Sequence, residues 1–257
     1  MPLTLVTGSA SGIGAATVQA LQAAGHTVIG VDLRNADITG DLSTAAGRQA
    51  IVAQALERCG GTLDGLVLCA GLGAQTQPAS LVTSVNYFGA VELLDGLLPA
   101  LKKGQNPAAV VISSVASALL PWEKNPLAQA FASGDEAAAG AIVMGAGEAG
   151  GNLAYAGSKN ALTVAVRQRA STWGQAGVRL NTVAPGATET PLLQAGLQDP
   201  RYGEAIKNFV APIARRAEPR EMASVVAFLM SAGASFVHGA QWYVDGGIDA
   251  VTRPTQF

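Results

Sequence analysis

The sequence begins with a short apolar run that leads directly into Thr7-Gly8-Ser9-Ala10-Ser11-Gly12-Ile13-Gly14. Residues 3–7 predict a buried strand, and residues 12–24 predict a helix that ends at Gly25. Glycines between a strand and a helix let the backbone turn sharply and approach a pyrophosphate, to which the helix N-terminus offers free N–H groups. The stretch therefore predicts a dinucleotide site with contacts from Gly8, Ser11, Gly12, Ile13 and Gly14.

Strand-like and helical patterns alternate along the rest of the chain. Further strands are predicted at residues 27–31, 66–69, 109–113, 178–183 and 241–244. Further helices are predicted at residues 44–59, 81–103 (bent or ended by Pro99), 155–173 and 218–230. This alternation predicts a single α/β domain over residues 1–257, a Rossmann-type doubly wound parallel sheet of about seven strands with helices on both faces.

Two segments interrupt the alternation. Residues 117–152 are rich in Ala and Gly and are predicted to be an insertion on the surface, with a helix at 135–144. Residues 189–214 are expected to close over a substrate, with Gly196 and Gly203 as hinges. Their apolar residues either line a flat hydrophobic pocket or pack helices together; they are Leu192, Leu193, Leu197, Phe209, Val210 and Ile213.

Composition excludes several classes of protein. The 257 residues are 49% apolar and 13% charged, which excludes intrinsic disorder. The net charge of -2 and the lack of a basic stretch argue against nucleic acid and anionic membranes as partners. Cys59 and Cys69 show no C-x-x-C spacing, so we expect no metal site, no disulfide framework and a cytoplasmic location. The N-terminus does not resemble a signal peptide, and no apolar run approaches the roughly 18 residues that span a bilayer.

Cofactor preference depends mainly on Asp32, which closes the second predicted strand twenty residues after Gly12. A carboxylate there accepts hydrogen bonds from ribose hydroxyls and repels a 2′-phosphate, which favours NAD(H) over NADP(H). The nearby Arg34 favours the opposite choice. Asp41 and Leu42 are candidates for contacts with the adenine edge, although Asp41 or Ser43 could equally cap the next helix.

Tyr155 and Lys159 are the candidate proton-transfer pair. Residues four apart share one face of a helix, so both side chains can reach the same cleft. A phenol has a pKa of about 10, and a neighbouring ammonium lowers that pKa toward neutrality. Taken alone, such a pair also fits an ordinary amphipathic helix.

Polar residues elsewhere favour the catalytic interpretation. Ser113 and Ser114 end a predicted strand at the edge where open parallel sheets bind ligands, and a hydroxyl there can bond a substrate carbonyl. Asn86, a polar residue within an apolar helix, can hold a water that links to the lysine. Thr188 follows the strand that closes at Gly186, and its hydroxyl can fix a nicotinamide carboxamide.

In this combination and order, the motifs resemble the classical short-chain dehydrogenase/reductase family over essentially the whole chain. The resemblance implies that Tyr155 is the general acid/base and that Lys159 lowers its pKa and holds the nicotinamide ribose. It also implies that Ser114 orients the carbonyl and that Asn86 completes a proton relay. Gly186 belongs to the same motif set and is expected to contact the cofactor.

Within this family, several stretches are similar to the bacterial branch of 3α-hydroxysteroid dehydrogenases/carbonyl reductases. They are residues 65–73, 84–89, 186–193, 245–250 and 253–257, together with the long segment between Ser114 and Tyr155. The resemblance implies NAD(H)-dependent interconversion of 3α-hydroxysteroids and 3-ketosteroids, and reduction of bulky carbonyl compounds. The alternatives are a dihydrodiol or polyol dehydrogenase, whose pocket would carry more Asn, Gln and His, and a non-catalytic NAD-binding regulator, which would tend to lose Tyr155 or Lys159.

The chain departs from the family in two places. It has Cys69-Ala70-Gly71 where most members have Asn-Ala-Gly, and a thiol cannot replace the paired hydrogen bonds of an amide. Ala70 and Gly71 remain expected cofactor contacts. The insertion lies beside the helices that many relatives use to form tetramers, so we expect a homodimer that uses another face.

Overall fold

The protein, seen in a computed structural model that describes residues 1–256, contains one sheet with strand order β3-β2-β1-β4-β5-β6-β7. Phe257, the end of the stretch 253–257, lies outside the described residues. The strands are β1 (Leu3–Thr7), β2 (Thr27–Asp32), β3 (Ile38–Thr39), β4 (Gly65–Leu68), β5 (Ala108–Ile112), β6 (Arg179–Pro185) and β7 (Gln241–Val244). Every neighbouring pair is parallel. The predicted doubly wound sheet is confirmed, and its order reverses between β1 and β4, where such sheets bind ligands.

Helices cover both faces of the sheet. They are α1 (Gly12–Ala23), α2 (Ala45–Arg58), α3 (Ser80–Thr83), α4 (Ala90–Leu101), α5 (Ala128–Ser133), α6 (Glu136–Gly145), α7 (Gly150–Gln175), α8 (Pro191–Gln198), α9 (Gly203–Asn208), α10 (Pro219–Met230) and α11 (Ile248–Thr252). A π-helical turn, Ser84–Gly89, joins α3 to α4. Short 3₁₀ turns occur at Val115–Ala118, Trp122–Lys124, Gly147–Ala149 and Ala232–Ala234.

Strand β5 shows why the strand sequences are apolar throughout. All five of its residues are buried. Ala109 and Val111 belong to the core cluster that includes residues of α2, α4 and α7, whereas Val110 and Ile112 belong to the cluster that includes residues of α1 and α10. Successive side chains point to opposite faces, so both faces need apolar residues when helices cover both.

Helix α7 begins five residues earlier than the sequence predicts. Tyr155 was expected near the helix start, but the helix begins at Gly150. Gly150 and Gly151 are poor helix formers, yet both are buried where a β-carbon would collide with the carbonyl oxygens of Val143 and Ala74. Tertiary packing therefore sets this boundary. Strand β3, which has only two residues, was also missed because it is too short for a periodic pattern.

The prediction that residues 117–152 lie on the surface is wrong, because part of this insertion is buried in the core. The segment contains α5 and α6, and Leu127, Phe131, Ala139 and Val143 are each at most 2% exposed. Helix α6 packs against α3 and α7, and these buried residues join the main core. Small residues allow this approach, so the Ala- and Gly-rich composition reflects close helix packing.

A buried arginine links the insertion to the rest of the fold. Arg48 of α2 is 1% exposed, and its guanidinium lies 2.9 Å from a carboxylate oxygen of Glu92 in α4 and 2.6 Å from one of Glu136 in α6. Two carboxylates offset the cost of burying this charge and raise the pKa of Arg48 against the opposing effect of burial. The ion pairs fix where α6 lies on α2 and α4.

One continuous helical stretch, residues 80–101, is long and apolar enough by length and composition alone to cross a membrane. It contains α3, the π-helical turn and α4, and 61% of its most apolar window is buried inside the fold. Its apolar residues include Leu93, Leu94 and Leu97, which are fully buried in the core.

Candidate active site

A cavity of about 880 Å³ lies along the C-terminal edge of the sheet. One end is bordered by the turn after β1 and by Asp32 at the end of β2. The other end is bordered by the segment after β6, residues 189–214, which we call the substrate flap. Ser114, Tyr155 and Lys159 also line this cavity. The structure thus brings the predicted cofactor, catalytic and substrate elements to one cleft.

The turn after β1 requires glycine at several positions. Gly8 and Gly12 have φ values of +68° and +53°, in the left-handed region that favours glycine. A β-carbon at Gly8 would lie 2.9 Å from the Ala70 nitrogen, and one at Gly14 would collide with the carbonyl oxygen of Gly8. Ser11 does not cap α1 with its side chain, which leaves N–H groups of the first turn available to an anion. Ile13 also lines this end of the cavity.

The acidic and apolar residues beside this turn take different positions. The Asp32 carboxylate accepts hydrogen bonds from the Ala10 and Leu33 N–H groups, at 3.0 and 2.7 Å, and lines the cavity. Asp41 accepts a hydrogen bond from the Ser43 N–H, and hydrogen bonding by Ser43 lowers the pKa of Asp41. The alternative that Asp41 or Ser43 caps α2 is wrong, because Thr44 is the N-cap and accepts from the Gly47 N–H. Leu42 is 9% exposed and belongs to the core at the cavity wall.

The remaining predicted cofactor contacts follow β4 and β6. The Ala70 N–H donates to the Thr7 hydroxyl at 3.1 Å, and Gly71 continues the cavity wall. The Gly186 N–H donates to the Val244 carbonyl at 3.0 Å. Thr188 is buried, and its hydroxyl donates to the Gly186 carbonyl at 3.1 Å. All four residues line the cavity.

The two serines after β5 have different environments. The Ser113 hydroxyl is 2.8 Å from the Thr163 hydroxyl and donates to the Lys159 carbonyl at 3.1 Å, so it holds α7 against β5. Ser114 lies at the start of a 3₁₀ turn and accepts from the Ala116 N–H at 3.2 Å. Its hydroxyl lies close enough to the Tyr155 phenol to lower the pKa of that phenol. Of the two, Ser114 is the one placed to act with Tyr155.

The electrostatics of Tyr155 and Lys159 differ from the sequence-based expectation. Burial raises the pKa of Tyr155, and the nearby Ser114 hydroxyl offsets only part of that rise. Burial lowers the pKa of Lys159 to about 8, and its ammonium donates to the Ile112 carbonyl at 2.8 Å. The prediction that Lys159 lowers the phenol pKa is therefore not met in this structure, where loss of phenolate hydration dominates.

Asn86 is placed beside Lys159, and its side chain bonds the backbone of Leu72. Its side-chain oxygen accepts from the Leu72 N–H at 2.7 Å, and its amide nitrogen donates to the Leu72 carbonyl at 2.9 Å. A β-carbon at Gly71 would lie 3.3 Å from the Asn86 oxygen and 3.5 Å from the Lys159 ammonium nitrogen. Both polar atoms of the Asn86 amide thus fix the backbone after β4, and a relay role for Asn86 remains a prediction.

The substrate flap contains α8 and α9. Leu192, Leu193 and Phe209 line the cavity as predicted, whereas Val210 and Ile213 line a second cavity of about 730 Å³. Leu197 lines neither cavity.

The glycines predicted as hinges lie within the packed part of the flap. Gly196 lies inside α8, where a β-carbon would be 2.8 Å from the Ile206 side chain, and Gly203 begins α9. Both are buried. Close packing between α8 and α9, rather than a hinge, accounts for the glycine at position 196.

Comparison with known proteins identifies the family. Residues 2–127 match the family model described as short chain dehydrogenase, and residues 136–249 match one described as enoyl-(acyl carrier protein) reductase. The chain is 68% identical over 257 residues, all of both chains, to 3-alpha-hydroxysteroid dehydrogenase/carbonyl reductase of Comamonas testosteroni. It belongs to the short-chain dehydrogenase/reductase family.

Solved and curated members of this family extend the comparison. The structure of 3-alpha-hydroxysteroid dehydrogenase from Pseudomonas sp. B-0831 in complex with NADH matches this fold with a TM-score of 0.96 at 52% sequence identity. The match covers 99% of this chain and 100% of the Pseudomonas chain. A 2,5-dichloro-2,5-cyclohexadiene-1,4-diol dehydrogenase of Sphingobium indicum is 29% identical over 96% of both chains. This short-chain dehydrogenase/reductase is accordingly an oxidoreductase.

Cys69 stands where most members of the family carry asparagine. It lines the cavity, and burial raises the pKa of its thiol to about 12, against a smaller effect of the Lys159 charge. The thiol is therefore neutral at physiological pH. It can make no paired hydrogen bonds with the neighbouring loop, and the Asn86 amide provides such a pair to Leu72 instead.

The polar residues of this short-chain dehydrogenase/reductase cavity that sequence reasoning missed include Gln75, Asn152 and Tyr202. Asn152 precedes Tyr155 by three residues in α7, so a helix predicted from Gly150 would have revealed it. Gln75 and Tyr202 lie in irregular segments far apart in sequence, and no local pattern marks them.

Proposed function

We propose that this enzyme uses NAD(H) to interconvert 3α-hydroxysteroids and 3-ketosteroids, and that it also reduces other bulky carbonyl compounds. The observation that carries the proposal is that Ser114, Tyr155 and Lys159 together line a cavity that has glycines at one end and apolar side chains at the other. The names of the Comamonas and Pseudomonas relatives support this substrate class.

The cofactor end fits a dinucleotide. Side chains at Gly8 or Gly14 would collide with neighbouring backbone and so disrupt this turn, and the start of α1 presents N–H groups to a pyrophosphate. Asp32 lies at the end of β2, where its carboxylate can bond ribose hydroxyls and repel a 2′-phosphate. When bound, NAD(H) supplies the hydride acceptor or donor.

The catalytic residues transfer the proton to or from the substrate oxygen. Ser114 donates a hydrogen bond to the substrate oxygen, and the Tyr155 phenol gives its proton to that oxygen in reduction or takes it in oxidation. Because the pKa of Tyr155 is raised, the phenol is protonated near neutral pH, the form that reduction requires. We also assign Lys159 to the nicotinamide ribose and Asn86 to the proton relay.

The substrate end favours a hydrophobic skeleton. Its lining is mainly apolar, and such cavities recognise a rigid hydrophobic molecule through a few placed polar groups. A polyol dehydrogenase would need more Asn, Gln and His than this wall carries. A non-catalytic regulator would have no need for a Ser114–Tyr155–Lys159 set.

The assembly that we propose is a cytoplasmic homodimer. The insertion packs on α3 and α7, whereas β7 ends the sheet and leaves one strand edge open. Phe236 beside it is fully exposed, and Phe228 is 41% exposed. Open edges and exposed aromatic side chains favour burial against a second copy. The free thiols of Cys59 and Cys69 suit a reducing compartment.

The first test is NADH formation by the purified protein with NAD⁺ and a 3α-hydroxysteroid. Parallel reactions contain NADP⁺ or the 3β epimer. Rapid turnover with NAD⁺ and the 3α epimer alone supports the reaction and the role of Asp32. No turnover of any steroid would overturn the substrate assignment.

Tyr155→Phe tests the chemistry directly. Removing the phenol hydroxyl removes the proton that the carbonyl oxygen must receive, so kcat should fall by about 10²–10⁴-fold while NADH binding persists. Tyr87→Phe is the matched control, because that hydroxyl bonds the Phe131 carbonyl outside the cavity. Near-normal turnover by Tyr155→Phe would show that another group transfers the proton.

A further inference from the structure

The wall of the cavity beyond Tyr155 is largely apolar. Its apolar side chains come from several elements: Val85, Leu119, Leu192, Leu193, Ile206 and Phe209. Gln75, Asn152 and Tyr202 interrupt this lining. Polar groups in a hydrophobic pocket orient a ligand when their hydrogen-bonding capacity is not already used.

Asn152 lies on the catalytic face of α7. It precedes Tyr155 by three residues and Lys159 by seven, the spacing that keeps side chains on one helix face. At about 1.5 Å of rise per residue, it lies roughly 4.5 Å along the helix from Tyr155. Asn152 is exposed, and its side-chain amide forms no hydrogen bond with any of residues 1–256.

Gln75 reaches the same wall from the loop after β4. A β-carbon at Gly73 would lie 2.8 Å from its amide nitrogen, and one at Gly196 of the flap would lie 3.6 Å from its amide oxygen. Its amide nitrogen donates to the Leu192 carbonyl at 3.3 Å. The side chain therefore bridges the body of the enzyme and the flap, and its carboxamide oxygen remains an acceptor.

Tyr202 brings a hydroxyl from the flap to α7. The residue is 7% exposed, and its hydroxyl is buried with no hydrogen-bond partner among residues 1–256. A β-carbon at Gly151 would lie 2.5 Å from that oxygen, so the hydroxyl contacts α7 one residue before Asn152. An unpaired buried hydroxyl is unfavourable and marks a place where a partner is expected.

We propose that Asn152, Gln75 and Tyr202 form a second polar subsite, which binds an oxygen of the substrate other than the one that reacts. The inference rests on the proposed function, because the reacting carbon is placed at Ser114 and Tyr155. The amide of Asn152 can donate to a ketone or accept from a hydroxyl, as can the phenol of Tyr202. The substrate class is then a rigid alicyclic alcohol or ketone that carries a second oxygen function, such as a steroid oxygenated at both ends.

The experiment compares two substrates in each variant. One is a 3α-hydroxysteroid with a ketone on the opposite terminal ring, and the other is the same skeleton without that ketone. In the wild type, kcat/KM should be higher for the first. Asn152→Leu keeps the side-chain shape and should reduce this preference by about tenfold, because one hydrogen bond to the ketone is lost. Gln75→Met should reduce it by a smaller factor, and Gln54→Met, an exposed amide of α2, should leave it unchanged.

The outcomes separate the two proposals. A fall in preference for Asn152→Leu and Gln75→Met, but not for Gln54→Met, supports the subsite. Equal losses on both substrates, or no loss on either, would overturn it while leaving the proposed function intact. If the wild type turns over neither steroid, the proposed function fails, and the subsite fails with it.

Discussion

The insertion helices α5 and α6 and the substrate flap both leave the strand–helix alternation, yet they use their apolar residues in opposite ways. In the insertion, Phe131 and Val143 are at most 2% exposed. In the flap, Leu192 is 38% exposed and Val210 is 63% exposed. Both segments are helical and rich in apolar residues, so composition alone does not distinguish them.

The difference lies in what each segment contacts. Helix α6 packs on α3 and α7 and is tied to α2 by the buried Arg48–Glu136 ion pair. Helices α8 and α9 pack mainly on each other. The tip of the flap reaches the body through hydrogen bonds of Gln75 with Leu192 and Arg201. Changes in α5 and α6 should therefore affect folding, and changes in the flap should affect substrate binding.

The largest expected effect comes from Phe131→Ala in the insertion. The Phe131 ring lies 4.2 Å from that of Tyr87 and 5.7 Å from that of Phe88, measured between centroids. Removing it leaves a cavity in the core, and the free energy of unfolding should fall by about 3–5 kcal/mol. Urea denaturation measures the change. Met144→Ala, 55% exposed in the same segment, should change it by less than about 0.5 kcal/mol.

The Phe131→Ala protein that remains folded should have a KM close to the wild-type value, because none of the residues that line the cavity belongs to α5 or α6. A large rise in KM at normal stability would mean that α5 and α6 also shape the substrate site.

A smaller effect, on binding, is expected from Leu193→Ala in the flap. Leu193 lines the cavity, so its loss removes apolar contact with the substrate and should lower kcat/KM about tenfold. Leu193 is only partly buried. The free energy of unfolding should therefore fall by less in Leu193→Ala than in Phe131→Ala. Steady-state kinetics measures kcat/KM, and urea denaturation measures the free energy of unfolding. The control is Gln198→Ala, an exposed residue of the same helix that does not line the cavity.

The smallest expected effect is on stability in acid and concerns the segment that follows the flap, at the start of α10. Glu221 accepts hydrogen bonds from Arg215 at 2.7 Å and from the Glu218 N–H at 2.8 Å, which lowers its pKa from 4.5 to about 2. A carboxyl whose pKa is lower in the folded state stabilises the fold above pH 4.5, and that contribution is lost as pH falls toward 2.

Glu221→Gln should therefore reduce the loss of stability between pH 4.5 and pH 2, by a small amount because the pair is exposed. Unfolding curves at several pH values test this, with the exposed Glu57→Gln in α2 as the control. Identical acid sensitivity in wild type and Glu221→Gln would show that the contact with Arg215 contributes nothing in solution.

The sequence determined those features that depend on local spacing. The glycine turn before α1, the Tyr155–Lys159 pair and the alternating elements can each be identified within a few residues, because φ values, helix faces and strand periodicity are local properties. Asp32 also follows from its distance along the chain from Gly12. These features were sufficient to predict the sheet and the cofactor end of the cleft.

Only the tertiary structure decided which of the remaining groups meet. Burial of the insertion, the approach of Ser114 rather than Ser113 to Tyr155, the direction of the Tyr155 pKa shift and the pairing of Asn86 with Leu72 all depend on contacts between distant segments. The polar subsite is the clearest case, since Tyr202 and Gly151 are fifty-one positions apart in the sequence and in contact in the fold. Packing and loss of hydration act through space, so no pattern along the chain specifies them.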